Sequence, residues 1–596
     1  MPSSDDGSAD PLALEAMLDR DGELVLDRLD GWASTGGSRW FLHYGDEGLD
    51  LSFAESVDCS ARLAGGLAAL GVGPGDRVAA FLTNPLVTVL TMLAVWRLDA
   101  VYCPINYNLT GRLLAHPLRE LEARLLVTEE GRVAMLDGVA GELAGLPPCV
   151  IHRPRRDQHD HDRSAAGARP RAAPVVVDFD DLLASSPAPR SPQRPTSTAA
   201  ILQTSGTTGA SKGVVLSHRW INQYTFVPRH LVDRDDVIHN DLPLYHGAGA
   251  ITNVVRAAWV GCEVALWDRF SASEFWPRIA KRGATNAILI DVMIARLMGA
   301  EERSGDRDNT LHTVNMTPLP ADHQAIASRF GIDLCGTAYG QTETGHGAFA
   351  LVDEFPGALG TPGQLWRGKS KAAILDFAAA HGYPVFGGDA PVRRGLMGKP
   401  TTFLEAAILG PDDQPLPDEC YGQLAFRGRL PDLLLTGYFR RPEATAEVMR
   451  GGWLHTGDAA VRDVGGLYYF VDRMGGFIRS KGENISSFEV EELVNAHPAV
   501  AMSAAVGVPA LEGLEEDVAV FVVPREGVSV SREELAAFCV ETMPRYLRPR
   551  HLRIVADLPR TATNKVEKYR LREELIGELR AAAAPASSEP SLGSST

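Results

Sequence analysis

Helical periodicity alternating with short β-prone runs constrains this chain most. SARLAGGLAALGV (60–72) spaces its apolar residues three and four apart, and DRVAAFL (76–82) follows as a strand-like run. The same rhythm returns between Val214 and Leu297. Strands joined through helices pair in parallel, so the expected class is α/β, with a large N-terminal domain of parallel or mixed sheets flanked by helices. A chain of 596 residues exceeds what one core accommodates, so at least two domains are expected. From about Asp472 the pattern turns compact. EVEELVNAHP and REELAAFCVETM read as helices, AVAMSAAVGVP and EDVAVFVVP as strands. The expected domains are therefore 1–472 and a small α+β unit, 473–580, with 581–596 (AAAAPASSEPSLGSST) as a disordered tail.

Two stretches of the first domain stand apart. His152 to Pro195, rich in Arg, His, Pro, Ala and Ser, reads as a mobile, solvated insertion rather than a metal site. Phe355 to Arg394 reads as an unusual insertion with one helix, Lys371 to His381, stopped by Gly382. The most apolar window, PLVTVLTMLAVWRLDAVYCPIN, carries Arg97 and Asp99 within the length a membrane span needs, so it reads as a buried helix leading into a strand.

With 58 basic against 76 acidic residues the net charge is −18, which argues against nucleic acid or an anionic membrane as partner. Seven scattered cysteines without a CxxC pair point away from zinc and disulfides. The acidic N-terminus lacks the basic and apolar regions of a signal peptide, and a cytoplasmic location is expected.

Chemistry concentrates in a few short segments. TSGTTGASKG (204–213) follows a strand-like run; its small residues let backbone N–H groups converge on an oxyanion, and Lys212 adds charge. It fails the GxxxxGK[ST] pattern of a P-loop, and alone reads equally as a linker or a phosphate cradle. Tyr339-Gly340-Gln341-Thr342-Glu343 puts a ring, a hydroxyl and a carboxylate within five residues. These suit a purine face, a phosphate oxygen and Mg²⁺, a cation that favours hard oxygen ligands. WLHTGD (453–458) offers Asp458 after a glycine, suited to a ribose diol; Asp472-Arg473 and, near the end, LPRTATNKVEKYRLRE with Lys565 complete the set.

In this order, these segments and the DR…GEN…EVEE run resemble the acyl-adenylate-forming (AMP-binding) superfamily, over about residues 50 to 575. GRLLAHPLRE, PLYHGAG and FSASEFW are most similar to fatty-acid-transport-type and carnitine-type acyl-CoA synthetases. The resemblance implies a β-barrel-like subdomain in the large domain, a mobile C-terminal domain, and two half-reactions. A carboxylate attacks the α-phosphorus of ATP to give acyl-AMP and pyrophosphate; coenzyme A then displaces AMP. It implies that Thr204, Ser205, Gly206, Thr207, Thr208, Gly209 and Lys212 hold the triphosphate and that Gly336, Thr337, Ala338, Tyr339, Gly340 and Gln341 bind the cofactor, with Tyr339 stacked on adenine. Thr342 would contact the α-phosphate, Glu343 would bind Mg²⁺, and Asp458 and Arg473 would secure the ribose. Lys565 would bridge carboxylate and α-phosphate; Ser480, Lys481, Gly482 and Glu483 would replace its loop when the small domain turns for the thiol step.

Two positions depart from the pattern. Gly475, followed by Gly476, stands at the hinge where Lys or Asp is usual, which predicts a looser hinge, and Asn564 precedes Lys565 where glycine is common. His246 falls near the expected acid carboxylate. Small residues after it (247–250) and before Tyr339 (335–338) leave volume, which predicts an apolar or bulky acid. The expected partners are that acid, ATP and CoA or a carrier-protein thiol, with a homodimer compatible. The alternatives are a stand-alone adenylation enzyme loading a carrier protein, and a degenerate member that binds nucleotide or acyl-AMP without completing both steps.

Overall fold

The computed structural model describes residues 11–583 except 21, 47, 144, 155–168, 172, 205–210, 394, 474–476, 481–482, 511–514, 526, 560–565 and 567. The chain divides into a large unit ending at Met474 and a small one from Gly475 onward. No described helix is long and apolar enough to cross a membrane.

The large unit holds two sheets. The first has eight strands; from Thr198–Thr204 it runs through Val101–Pro104, Arg77–Phe81, Leu125–Glu129 and Cys149–His152 to Val176–Asp178, all parallel. Antiparallel Lys212–Ser217 and Gly437–Tyr438 complete its other edge. The apolar window forms the helix Pro85–Arg97, where Leu86 alone escapes burial. Asn84 caps it by accepting from Val87 N at 3.1 Å, with proline at the first position where no donor is needed. Arg97 is buried with it because Asp30 supplies a carboxylate at 2.5 Å and Ser60 Oγ accepts at 2.8 Å.

The second sheet has fourteen strands. Trp40–Tyr44, Glu263–Leu266, Val237–Asn240, Asn286–Leu289, Thr313–Met316 and Leu334–Gln341 are parallel in that order. Beyond Leu334–Gln341 every step is antiparallel: Gly345–Asp353, Leu396–Pro400, Tyr468–Arg473, Leu454–Arg462, Tyr421–Gly428 and Leu404–Leu409. The antiparallel group where a barrel-like subdomain is expected thus continues the large sheet.

The expected disordered insertion 152–195 is corrected in its second half. Val176–Asp178 extends the first sheet, and the helix Phe179–Leu183 buries Phe179 and Leu182. Arg153 ties them down, pairing with Glu130 and with Asp178 at 2.9 Å. Composition averaged over 44 residues hid the run VVVDFDDLL within a polar segment; residues 155–168 lie outside the described set. Within the expected insertion Phe355 to Arg394, the described residues 355–393 pack against the second sheet. The helix Lys371–Ala380 buries Ile374, Phe377 and Ala378, Gly382 follows at φ +69°, and Val385–Gly387 pairs in parallel with Gly345–Asp353. Lys371 Nζ lies 2.6 Å from Asp353 and donates to the Phe355 carbonyl at 2.7 Å.

In the small unit, Val500–Pro509, Glu516–Pro524 and His551–Ile554 form a sheet beside the hairpin Phe477–Ser480/Glu483–Ser486, with helices Ser487–Asn495, Arg532–Thr542 and Lys568–Ala583. Val506, Val508, Phe521, Leu571 and Leu575 fill its core. The last helix passes through 581–583, three residues into the expected tail; 584–596 lie outside the described residues.

Candidate active site

The strands Leu334–Gln341 and Gly345–Asp353 form a hairpin with Thr342 and Glu343 half-buried at its tip. Thr344 closes the turn by accepting from Gln341 N at 2.9 Å through Oγ1. Glycine is required at both ends of this turn. A Cβ on Gly340 would meet the Gly345 carbonyl at 2.5 Å, and Gly345 itself adopts φ +66° with Gln223 Oε1 2.4 Å from any added Cβ. A register shift between Tyr339 and Gly340 re-aims the chain where the motif begins.

Two distant motifs converge on one carboxylate. Asp458 is buried in Leu454–Arg462, just after Gly457 at φ +72°. Its Oδ2 accepts from Tyr339 Oη at 2.5 Å and from Gln341 Nε2 at 2.8 Å, joining residues 119 and 117 positions apart. Gln341 Nε2 also donates to the Thr456 carbonyl at 3.0 Å. The Tyr339 ring stacks on Phe426, centroids 5.7 Å apart and 18° from parallel. Backbone register sets Arg473 opposite Asp458. Of the other positions expected to bind the cofactor, Thr337 is fully buried and Ala338 N donates to Thr317 Oγ1 at 3.2 Å.

A second chain of contacts starts at Lys212, paired in register with Thr204. Its Nζ lies 4.8 Å from the centre of the Tyr438 ring, a cation–π contact, and Tyr438 Oη donates to Glu343 Oε1 at 2.8 Å. Burial, then the Glu343 carboxylate, pushes the Tyr438 phenol well above its ordinary range, so it stays a donor. Tyr438 is absent from the sequence-derived set: GYF at 437–439 carries no charge or spacing that marks it. Tyr438→Phe keeps the ring under Lys212 and removes the donor to Glu343. It is expected to lower adenylation about fivefold, chiefly as a raised Mg²⁺ requirement, measured by pyrophosphate release against Mg²⁺ concentration.

His246 is exposed, its ring 4.4 Å from that of Tyr245, just ahead of the π-helix Ala248–Val255, a form that recurs at functional sites. Gly336 and Thr252 reach a small cavity shared with Arg256, Asn286, Asn315 and His346. Leu231, Ile288, Val314 and Phe349 also line it, so polar and apolar side chains meet there. The small residues flanking the pocket were legible in sequence; the polar residues facing it from neighbouring strands were not. Ser480 is buried in the hairpin of the small unit, opposite Glu483. Ser205, Gly206, Thr207, Thr208, Gly209, Lys481, Gly482 and Lys565, with Gly475, Gly476 and Asn564, lie outside the described residues.

Among the described residues no three His, Cys, Asp or Glu side chains gather as a metal cage. A single carboxylate such as Glu343 would suit Mg²⁺, which is usually held by one or two carboxylates with waters and substrate phosphates.

The AMP-binding enzyme family matches residues 29–439, and the AMP-binding enzyme C-terminal domain matches 489–565. A sulfoacetate–CoA ligase of Cupriavidus necator is 30% identical over 92% of this chain and 98% of its own length. A crotonobetaine/carnitine–CoA ligase of Salmonella arizonae is 30% identical over 84% of this chain and 89% of its own. A solved o-succinylbenzoate CoA synthetase of Bacillus subtilis shares the fold with TM-score 0.70 at 23% identity, over 92% of this chain and 98% of that one.

Proposed function

This chain belongs to the AMP-binding enzyme family, and we propose from that premise that it works as an ATP-dependent, AMP-forming acid–thiol ligase making acyl-CoA through acyl-AMP. The observation that carries this reading is the joining of the YGQTE and WLHTGD segments at Asp458 beside the Glu343–Tyr438–Lys212 chain. Tyr339 covers the adenine, and Asp458 with Arg473 takes the ribose. Thr342 meets the α-phosphate; Lys212 and the segment Thr204 to Gly209 take the β- and γ-phosphates. Glu343 holds the Mg²⁺ that neutralises the triphosphate when bound.

The substrate carboxylate then attacks the α-phosphorus, the bond to pyrophosphate breaks, and acyl-AMP forms. The CoA thiolate attacks the acyl carbon and AMP leaves. Such transfer rests on positioning and charge rather than on a covalent protein intermediate. Lys565 supplies charge for the first step, and the segment Ser480 to Glu483 serves the second. A homodimer is compatible with this reading and is not required by it.

Incubation with ATP, Mg²⁺ and a carboxylic-acid panel, with and without CoA, tests the reading, with AMP, acyl-AMP and thioester resolved by mass spectrometry. Thioester formed only when CoA is present is the expected result. Acyl-AMP that passes only to a carrier protein identifies a stand-alone adenylation enzyme. Neither product with any acid identifies a nucleotide-binding member that completes neither step.

A further inference from the structure

We propose that the acid substrate is short and carries a second anionic group, a carboxylate or sulfonate, bound by Arg256 at the inner end of the acyl pocket; this rests on the ligase reading above. The cavity lies between the two segments whose small residues mark the acyl pocket: Gly336 lines it from 335–338, and Thr252 lies two residues beyond Ala250. The interior space is about 20 Å³ for the centre of a water-sized sphere, the scale of one small head group. A Cβ on Gly336 would come within 3.2 Å of Phe349, so this wall gives no further room.

Arg256 begins the helix Arg256–Val260 and is 3% exposed. Its Nη2 donates to two neutral oxygens, Asn253 Oδ1 at 3.1 Å and Asn286 Oδ1 at 2.9 Å, and its Nε has no partner. Among the described residues no carboxylate lies within 4.0 Å of it. The contrast is Arg97, as deeply buried but paired with Asp30. At longer range the Asp236 carboxylate acts on Arg256. The Asp236 carboxylate is already engaged by Thr285 Oγ1 at 2.6 Å and Lys369 N at 2.9 Å. A buried guanidinium without a counter-ion is costly, and a well-packed apolar residue would serve packing better. Its retention beside a cavity points to an anion that arrives with the ligand.

Other donors face the same space. Asn286 Nδ2 and both ring nitrogens of His346 are buried without partners. Burial holds His346 neutral, its pKa lowered to about 4, so the ring brings one donor and adds no positive charge. Guanidinium Nε–H, amide N–H and imidazole N–H together match the oxygens of a planar or tetrahedral anion.

The test compares malonate, succinate and sulfoacetate with propionate and butyrate by pyrophosphate release. Wild type is expected to favour at least one dianion over its length-matched monoacid by about thirtyfold in kcat/KM, and the carboxylate and sulfonate arms identify the group. Arg256→Met is expected to erase that ratio. Asn286→Asp, which sets a permanent counter-charge beside the guanidinium and keeps it paired in the fold, is expected to erase it too. A wild type that favours the monoacids, or variants whose ratio is unchanged, overturns the proposal. A wild type that forms AMP with none of these five acids but with another carboxylic acid overturns the proposal and leaves the ligase reading standing; AMP with no acid of the wider panel overturns the ligase reading itself.

Discussion

Replacing Lys565 with alanine lowers the rate of acyl-AMP formation about a thousandfold and leaves thioester formation from preformed acyl-AMP near wild type. The two half-reactions ask for charge in different places. In the first, negative charge builds on the α-phosphate as the substrate carboxylate, itself anionic, approaches; one preorganised ammonium meets both. In the second, AMP departs from an acyl carbon and the α-phosphate undergoes no substitution, so the same ammonium has little left to stabilise. Lys565→Arg keeps the charge but exchanges a compact ammonium for a broad planar fork, and recovers part of the rate at most. Single-turnover pyrophosphate release reads the first step, and mixing synthetic acyl-AMP with CoA reads the second. An adenylation rate unchanged in Lys565→Ala removes Lys565 from this role, and equal loss in both steps replaces it with a structural one. The prediction rests on the position of Lys565 in LPRTATNKVEKYR, with Asn564 ahead of it in place of the usual glycine.

What could be read from sequence was local; what could not was pairwise and distant. The helix Pro85–Arg97 was legible because one apolar window, broken by two charges, has few other solutions. The carboxylate that allows Arg97 to be buried, Asp30, lies 67 residues earlier, and no pattern announces it. The hairpin tip bearing Thr342 and Glu343 was legible from its residue types, whereas the donor to Glu343 is Tyr438, 95 residues away in a run without charge or periodicity. Arg256 shows the same limit more sharply. In ITNVVRAAWV it is the one charge in a largely apolar run, and only the fold brings Asn286, from a strand, to its guanidinium. Small residues near His246 and Tyr339 spoke for volume, and volume alone suggested an apolar acid. The chemistry of a pocket is set by the side chains that end there, and these come from six separate segments.

Asp458→Ala lowers kcat/KM for ATP by about two to three orders of magnitude, with a smaller loss of thermal stability. Asp458 does two jobs at once. It accepts from Tyr339 Oη at 2.5 Å and from Gln341 Nε2 at 2.8 Å, fixing the ring proposed to cover adenine and the strand that leads to Thr342 and Glu343. It is also the proposed ribose acceptor. Hydrogen bonds to a charged acceptor contribute about 1.5–3 kcal/mol each, and removing the acceptor leaves a buried phenol and amide without their partner. Asp458→Asn preserves volume and can keep an oxygen where Oδ2 accepts from both donors, but it removes the charge and puts an amide where Oδ1 stands. It is expected to cost about tenfold, between wild type and alanine. The measurement is pyrophosphate exchange at varied ATP, with melting temperature followed in parallel. Were Asp458 only a tether between strands, melting temperature would fall in both variants and KM for ATP would stay put. Were it only a ribose ligand, KM would rise with no change in melting. A carboxylate that organises the nucleotide wall and also contacts the nucleotide must move both, and in alanine more than in asparagine.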